Sequence, residues 1–308
     1  MIPTTPTEMT MTSADEKPRR RRKAFHPLQF TAELFFLLCA MVSVLAIGTI
    51  TFYIFYSGTP AIAKIGVWNF LFGARWKPDQ GLYGILPMIV TSLTATALSV
   101  GIGAAIGIFC SVFLAELAPP WLVRLLRPCV ELLAGIPSIV YGYFGLTTVV
   151  PLIANRLGGA GNSLLAIVVI LSMMILPTII SISLTSIKAV PSTYKEGSLA
   201  LGASHIQTIF KTMLPAARSG ILSAVVLGIG RAIGETMAVI LVAGNTPQIP
   251  TSLLDSVRTL TINIAFEMSY ATGLHREALF ATGVVLFVII MALNIVLNTL
   301  MKRKERQA

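Results

Sequence analysis

Charge is what this chain has least of: 12% of its 308 residues are Asp, Glu, Lys or Arg, while 55% are hydrophobic. A soluble domain carries roughly 25% charged residues, so an ordinary soluble globule is excluded. Cysteine is scarce too. Cys39, Cys110 and Cys129 sit in or beside apolar stretches without CxxC spacing, and no disulfide framework is implied. Catalytic signatures are missing as well. There is no GxSxG and no HExxH, and no lysine follows a glycine, which rules out a GxxxxGK[ST] phosphate loop. The chain therefore offers no catalytic residue and no ATPase site of its own.

What is present is a series of apolar runs, at about 31–56, 84–114, 129–153, 164–187, 220–243 and 279–301. Each is long enough to cross a ~30 Å hydrocarbon core, which takes about 20 helical residues. The expected fold is all-α, a polytopic membrane protein with six transmembrane helices. Residues 1–29 read as a basic, disordered tail, 30–302 as the membrane domain with a long loop at 188–219, and 303–308 as a short tail. The first run far exceeds the ~7–15 residues of a signal core, so it is read as a retained helix despite the small-residue stretch Ala61-Ile62-Ala63. No internal repeat of fixed period is present.

The net charge of +10 invites a nucleic-acid reading, but its placement argues for topology. With both termini inside, the inner segments hold sixteen of the 23 Lys and Arg: six in the tail, Arg124 and Arg127, four between 188 and 218, and four at the end. The outer loops hold six, and Arg231 is the remaining one. This is the positive-inside asymmetry, which sets both termini in the cytoplasm and assigns the basic run to topology and membrane lipid rather than to nucleic acid. The same topology separates the three histidines, with His26 in the inner tail, His205 in the inner loop and His275 outside, so they share no metal.

Several runs carry packing signals. Gly103 and Gly107 form a GxxxG pair, as do Gly230 and Gly234, and small residues at that spacing let helices approach closely in lipid. The hydroxyls of the fourth run, Ser172 among them, are read as packing residues. The outer loop at 57–83, with Trp68 and Trp76, reads as a short structured or interfacial segment, and 117–128 as a brief inner turn bounded by prolines. Glu131 is read as an i,i+4 partner of Arg127. In the third run, Pro137 and Ser138 interrupt backbone bonding, which is tolerated where the break faces protein or a water-filled cavity. That leaves Ser138 as a path-lining candidate beside the ordinary packing use of a membrane serine.

Arg231 lies near the middle of the fifth run, and Glu235 follows one helical turn later. A charge at mid-membrane costs ~2.5–3.5 kcal/mol even on the lenient insertion scale, so such residues serve a conduction path or pair with each other. Four apart, the two are expected on one helical face. Either a substrate path or a structural ion pair is consistent with that spacing.

Glu196-Gly197-Ser198, then Leu199 to Leu201, Gly202, nine residues, and Thr212-Met213-Leu214-Pro215 resemble the EAA loop of importer-type ABC permeases. Glu196, Gly202, Leu214 and Pro215 fit that pattern in register; Gly197, Ser198 and Thr212 depart from it. The segments WKPDQGLYGILPMIVTSL at 76–93, ELLAGIPSIVYGYFG at 131–145 and GRAIGETMAVILVAG at 230–244 are similar, in combination, to the C-type permease subunit of the bacterial high-affinity phosphate (Pst) importer. The resemblance implies an importer-type ABC permease fold in the bacterial plasma membrane and passage of phosphate past Arg231 and Glu235. It also implies a loop whose Glu196, Gly202, Leu214 and Pro215 dock on an ATPase. The implied partners are a second, A-type permease, separate ATPase subunits that use ATP and Mg, and an extracytoplasmic phosphate-binding protein; no cofactor is bound by this chain. A permease for another oxyanion, sulfate or molybdate, shares this plan. An ion-driven secondary transporter would leave 188–219 a mere connector.

Overall fold

The computed structural model describes residues 27–306, which divide into two compact units, one reaching Thr51 and the other starting at Phe52. The polar tail expected over 1–29 lies outside the described residues up to 26, and helix α1, Pro27–Ile65, already includes 27–29. The part of α1 before Thr51 is a single helix whose apolar side chains, Phe35, Phe36, Val42 and Leu45 among them, are exposed. Hydrophobic all along and unburied, it has the character of a lipid-facing span.

The second unit is built around α7, Leu164–Lys188, started by Ser163, whose hydroxyl accepts the Ala166 N–H at 3.3 Å. It packs against α3, Leu86–Val112, and α11, Arg218–Gly234. Gly103 and Gly107 make room for it, since a Cβ on either would lie 2.7 and 2.8 Å from Ile175 and Ile179. Without a hydrophobic force between helices in lipid, close packing of this kind and interhelical hydrogen bonds hold the bundle. Ser172 supplies one such bond, donating to the Ser99 carbonyl of α3 at 3.2 Å and to its own Val168 carbonyl at 2.7 Å. The second GxxxG pair behaves otherwise: a Cβ on Gly230 or Gly234 would meet nothing within 4 Å. Its expected packing role is not realised within this chain, and that face of α11 is open.

Between α1 and α3, α2 (Val67–Phe72) and a two-stranded hairpin, β1 (Trp76–Lys77) with β2 (Leu82–Tyr83), form the structured segment expected at 57–83. Trp68 is exposed and stacks on Phe72, whereas Trp76 is buried. Apart from this hairpin and an isolated bridge between Gly244 and Val257, the described fold is helical.

The remaining helices are α4 (Pro120–Gly135), α5 (Ser138–Phe144), α6 (Val150–Leu157), α8 (Ser192–Ala200), α9 (His205–Thr208), α10 (Leu214–Ala216), α12 (Met237–Val242), α13 (Leu260–Glu267) and α14 (Gly273–Arg306). Among the described residues, three π-helical turns, Phe113–Leu117, Gly145–Val149 and Ile209–Met213, each end two residues before a proline: Pro119, Pro151 and Pro215. A proline lacks an N–H and its ring crowds the carbonyl four residues back. Widening the preceding turn relieves that crowding where the chain stays helical through the proline, at Pro151 and Pro215; before Pro119 the helix ends at the extended Ala118.

Among the described residues, five helices are long and apolar enough to cross a membrane: Thr31–Ile65, Leu86–Leu117, Ser138–Leu157, Leu164–Lys188 and Gly273–Thr299; a pair bent by 69°, His205–Ala216 with Arg218–Gly234, makes a sixth if it is taken as one broken span. Two expected spans are thereby corrected. The third is not a single helix from 129, because Ile136 takes an extended conformation (φ −68°, ψ 127°) before Pro137, as proline demands of its predecessor, and ends α4 at Gly135. The supposed turn at 117–128 is largely the start of α4, an amphipathic helix that sets Val123, Leu126 and Val130 on the core and leaves Trp121, Leu125 and Leu132 exposed. The fifth span does not run unbroken to 243, since α11 stops at Gly234.

Candidate functional site

The stop at Gly234 rearranges the charged pair expected on one helical face. Glu235 is extended (φ −70°, ψ 133°), and α12 begins only at Met237. The Glu235 carboxylate does not meet Arg231. Its Oε1 accepts the backbone N–H groups of Thr236 and Ala238, each at 3.1 Å. The Glu235 carbonyl accepts the Thr261 hydroxyl at 3.0 Å, and Thr236 donates its own hydroxyl to the Gly234 carbonyl at 3.3 Å. A break inside an apolar segment needs these substitutes, because lipid offers no partner for the freed backbone groups. Glu235 thus acts here as the cap that makes the break possible.

Arg231 lies in the last turn of α11, half-buried, and among the described residues no acidic oxygen comes within 4.0 Å of it. On α5 the buried Tyr141 hydroxyl donates to the Leu133 carbonyl at 2.8 Å. Beside Arg231 lies the open Gly230 and Gly234 face. A small cavity at the break is lined in part by Ser92 and Thr96 of α3, Glu235, Thr259 and Thr261, the rest of its wall being apolar. Ser138 opens α5 directly after the Ile136-Pro137 break and is half-buried. Arg127 and Glu131 form the expected exposed pair at 3.0 Å, away from this centre.

The loop at 188–217 folds as two short helices joined at Gly202, whose φ of +86° is the left-handed conformation that glycine adopts without strain. A capping box follows, with Ser204 and Gln207 closing α9 reciprocally. Glu196 is exposed on α8, and Pro215 precedes the 69° bend into α11. Leu201 is 91% exposed, beside exposed Tyr194, Ile206 and Phe210.

Residues 103–307 match the family described as the binding-protein-dependent transport system inner membrane component. The chain belongs to this family. It is 41% identical over 274 residues to the probable ABC transporter permease protein YqgH of Bacillus subtilis, covering 87% of this chain and 89% of that one. It is 35% identical over 300 residues to the phosphate transport system permease protein PstC of Haemophilus influenzae, covering 90% and 91%. Its fold is like that of the MetNI methionine ABC transporter in an inward-facing form, with a TM-score of 0.59 at 18% identity over 75% of this chain and 99% of that one. The protein is a multi-pass inner-membrane permease subunit of the ABC importer class.

At the end of the permease opposite the 188–217 loop is a buried ionic network absent from the sequence reading. Glu267 of α13 accepts at Oε1 from the Arg258 guanidinium and at Oε2 from Trp76 Nε1 (2.8 Å), and its Oε2 lies 2.7 Å from His275 Nε2. Arg258 also donates to the Asn245 carbonyl at 2.8 Å and to Asn263 at 3.1 Å, and stacks over Phe266. The network ties the hairpin, the 244–259 loop, α13 and α14 together. Trp76 and Glu267, hydrogen-bonded to each other, are 191 positions apart in the chain, so only the nine-residue spacing of Arg258 and Glu267 around an apolar run hinted at it.

Proposed function

We propose that this permease carries phosphate into the bacterial cell, driven by ATP hydrolysis on separate ATPase subunits that use Mg, with a second, A-type permease completing the path and an extracytoplasmic phosphate-binding protein delivering the ion. Both termini and the 188–217 loop face the cytoplasm, in keeping with the basic residues gathered there. The observation that carries the reading is Arg231: a guanidinium held at a break inside a span, without a carboxylate partner among the described residues, beside an open glycine face. A guanidinium presents a planar donor fork that matches two phosphate oxygens. Similarity to the phosphate transport system permease protein of Haemophilus influenzae supports phosphate as the cargo. Ser138 and Glu235 flank the path in this reading, and Glu235 also keeps the break open by capping. The exposed Tyr194, Leu201, Ile206 and Phe210 of this loop, with Glu196, Pro215 and the partly buried Leu214, form the surface that seats the ATPase, since an apolar patch at an aqueous face marks an interaction site.

The test is Arg231→Gln. It retains length and polarity but not charge, so the complex should assemble at normal abundance while phosphate uptake falls by about 100-fold or more, as expected when a group matched to the ion is lost. Near-normal uptake in an assembled Arg231→Gln complex rejects Arg231 as a path residue.

A further inference from the structure

The inner end of α3 is gripped by both helices of the 188–217 loop. Glu116, on the π-helical turn that closes α3, has a side chain only 8% exposed, and its Oε2 lies 2.6 Å from the Lys195 ammonium of α8. From the other side of the Gly202 turn, His205 Nε2 lies 3.4 Å from the Glu116 carbonyl. The loop itself is braced: the Ser198 and buried Thr208 hydroxyls are 3.0 Å apart, and Thr212 donates to Ser198 at 3.4 Å. Beneath these polar contacts, Ile209 and Met213 of the loop form one apolar cluster with Val112 of α3 and Ile187 of α7. The loop is therefore a folded body fixed to the end of α3, with Glu116 at the joint.

The same helix reaches the break. At its other end, Ser92 accepts the Leu260 N–H at 3.0 Å, and Ser92 and Thr96 line the cavity that Glu235 and Thr261 also line. A helix is a rigid element that carries displacement between its ends, and π-helical turns are frequent at functional sites. We propose that the Glu116–Lys195 ion pair, with His205 against the Glu116 backbone, is the positioning link that passes displacement of the loop to α3 and so to the break beside Arg231. Lys195 turns inward to Glu116 while its neighbour Glu196 stays exposed, so adjacent residues divide transmission from docking. This link rests on the function proposed above, in which an ATPase moves the loop.

The test measures phosphate uptake and ATP hydrolysis together, in proteoliposomes holding the complex that copurifies with this permease. Lys195→Met leaves the Glu116 carboxylate without its ammonium, so the measurement is made per assembled complex: ATPase association and ATP hydrolysis per complex should stay near wild type, while phosphate moved per ATP should fall roughly 5-fold, within the range exerted by residues along a coupling network. Lys195→Arg should retain the ratio, and the exchanged pair Glu116→Lys with Lys195→Glu should recover most of it. An unchanged ratio in Lys195→Met, or a loss that neither Lys195→Arg nor the exchange restores, overturns the link. Loss of the ATPase from the Lys195→Met complex overturns it too, by making Lys195 a docking contact. Should Glu116→Gln fail to accumulate while Lys195→Met couples normally, Glu116 is structural only and the link is rejected. The wild-type complex separates the two proposals: no ATP-driven phosphate uptake there rejects the proposed function, whereas wild-type uptake with an unaltered ratio in Lys195→Met rejects the link alone.

Discussion

At the scale of residues, two carboxylates hold the molecule's least ordinary places. Glu235 caps a break through the Thr236 and Ala238 N–H groups. Glu235→Ala should cost about 1 kcal/mol, the usual loss for a helix cap, and lower the thermal midpoint of the purified protein by a few degrees. Because the Arg231 and Glu235 side chains are not paired, a double-mutant cycle of Arg231→Gln and Glu235→Ala should show a coupling below about 1 kcal/mol; a coupling well above that means that the two charges do meet. Glu267 is the opposite case, buried against Arg258. Glu267→Gln leaves that guanidinium without its counter-charge, a loss of about 3–5 kcal/mol for a buried pair. Folded protein should drop sharply on size exclusion, and Arg258→Met with Glu267→Leu should recover much of it; recovery by neither charge removal nor refilling contradicts the network's role. Arg231 was legible in the sequence because a lone charge in an apolar run has few explanations. Glu267, Arg258, His275 and Trp76 were not, since their association depends on chain crossings that spacing does not encode.

At the scale of elements, the apolar runs located the helices but not their breaks. Hydropathy measures what a segment faces, whereas a break depends on where its freed N–H and C=O groups find partners. Pro137 announced one break; the other, at Glu235, depends on a carboxylate and on Thr261 26 positions away. The glycines divide in the same way. Gly107→Val places a side chain 2.8 Å or less from Ile179, so it should reduce abundance through lost α3–α7 packing. Gly202→Val meets nothing within 4 Å and strains only its +86° backbone. It should insert normally, yet the distorted turn should lose ATPase copurification. Gly202→Asn, which tolerates the left-handed conformation, should retain most of it. Equal ATPase association in all three proteins would falsify the docking role of this turn.

At the scale of the whole molecule, the membrane plan was the most legible feature, because a bilayer demands long apolar helices wherever the chain crosses it. Charge placement then orients the plan. With the native cysteines replaced, single cysteines at Gln80 and Thr251 should react with an impermeant thiol reagent in intact cells, while one at Ser204 should react only after lysis. External labelling at 204 reverses the orientation and removes the loop from the cytoplasmic ATPase. ATP-driven passage of phosphate past Arg231 is read most directly as phosphate influx into proteoliposomes holding the complete complex, with a phosphate-binding protein on the side of the 244–259 loop and ATP on the side of the 188–217 loop. The account predicts influx that requires ATP on that side, persists in excess sulfate and disappears with Arg231→Gln. Influx that proceeds without ATP on an imposed ion gradient, or that sulfate suppresses as effectively as unlabelled phosphate, contradicts it.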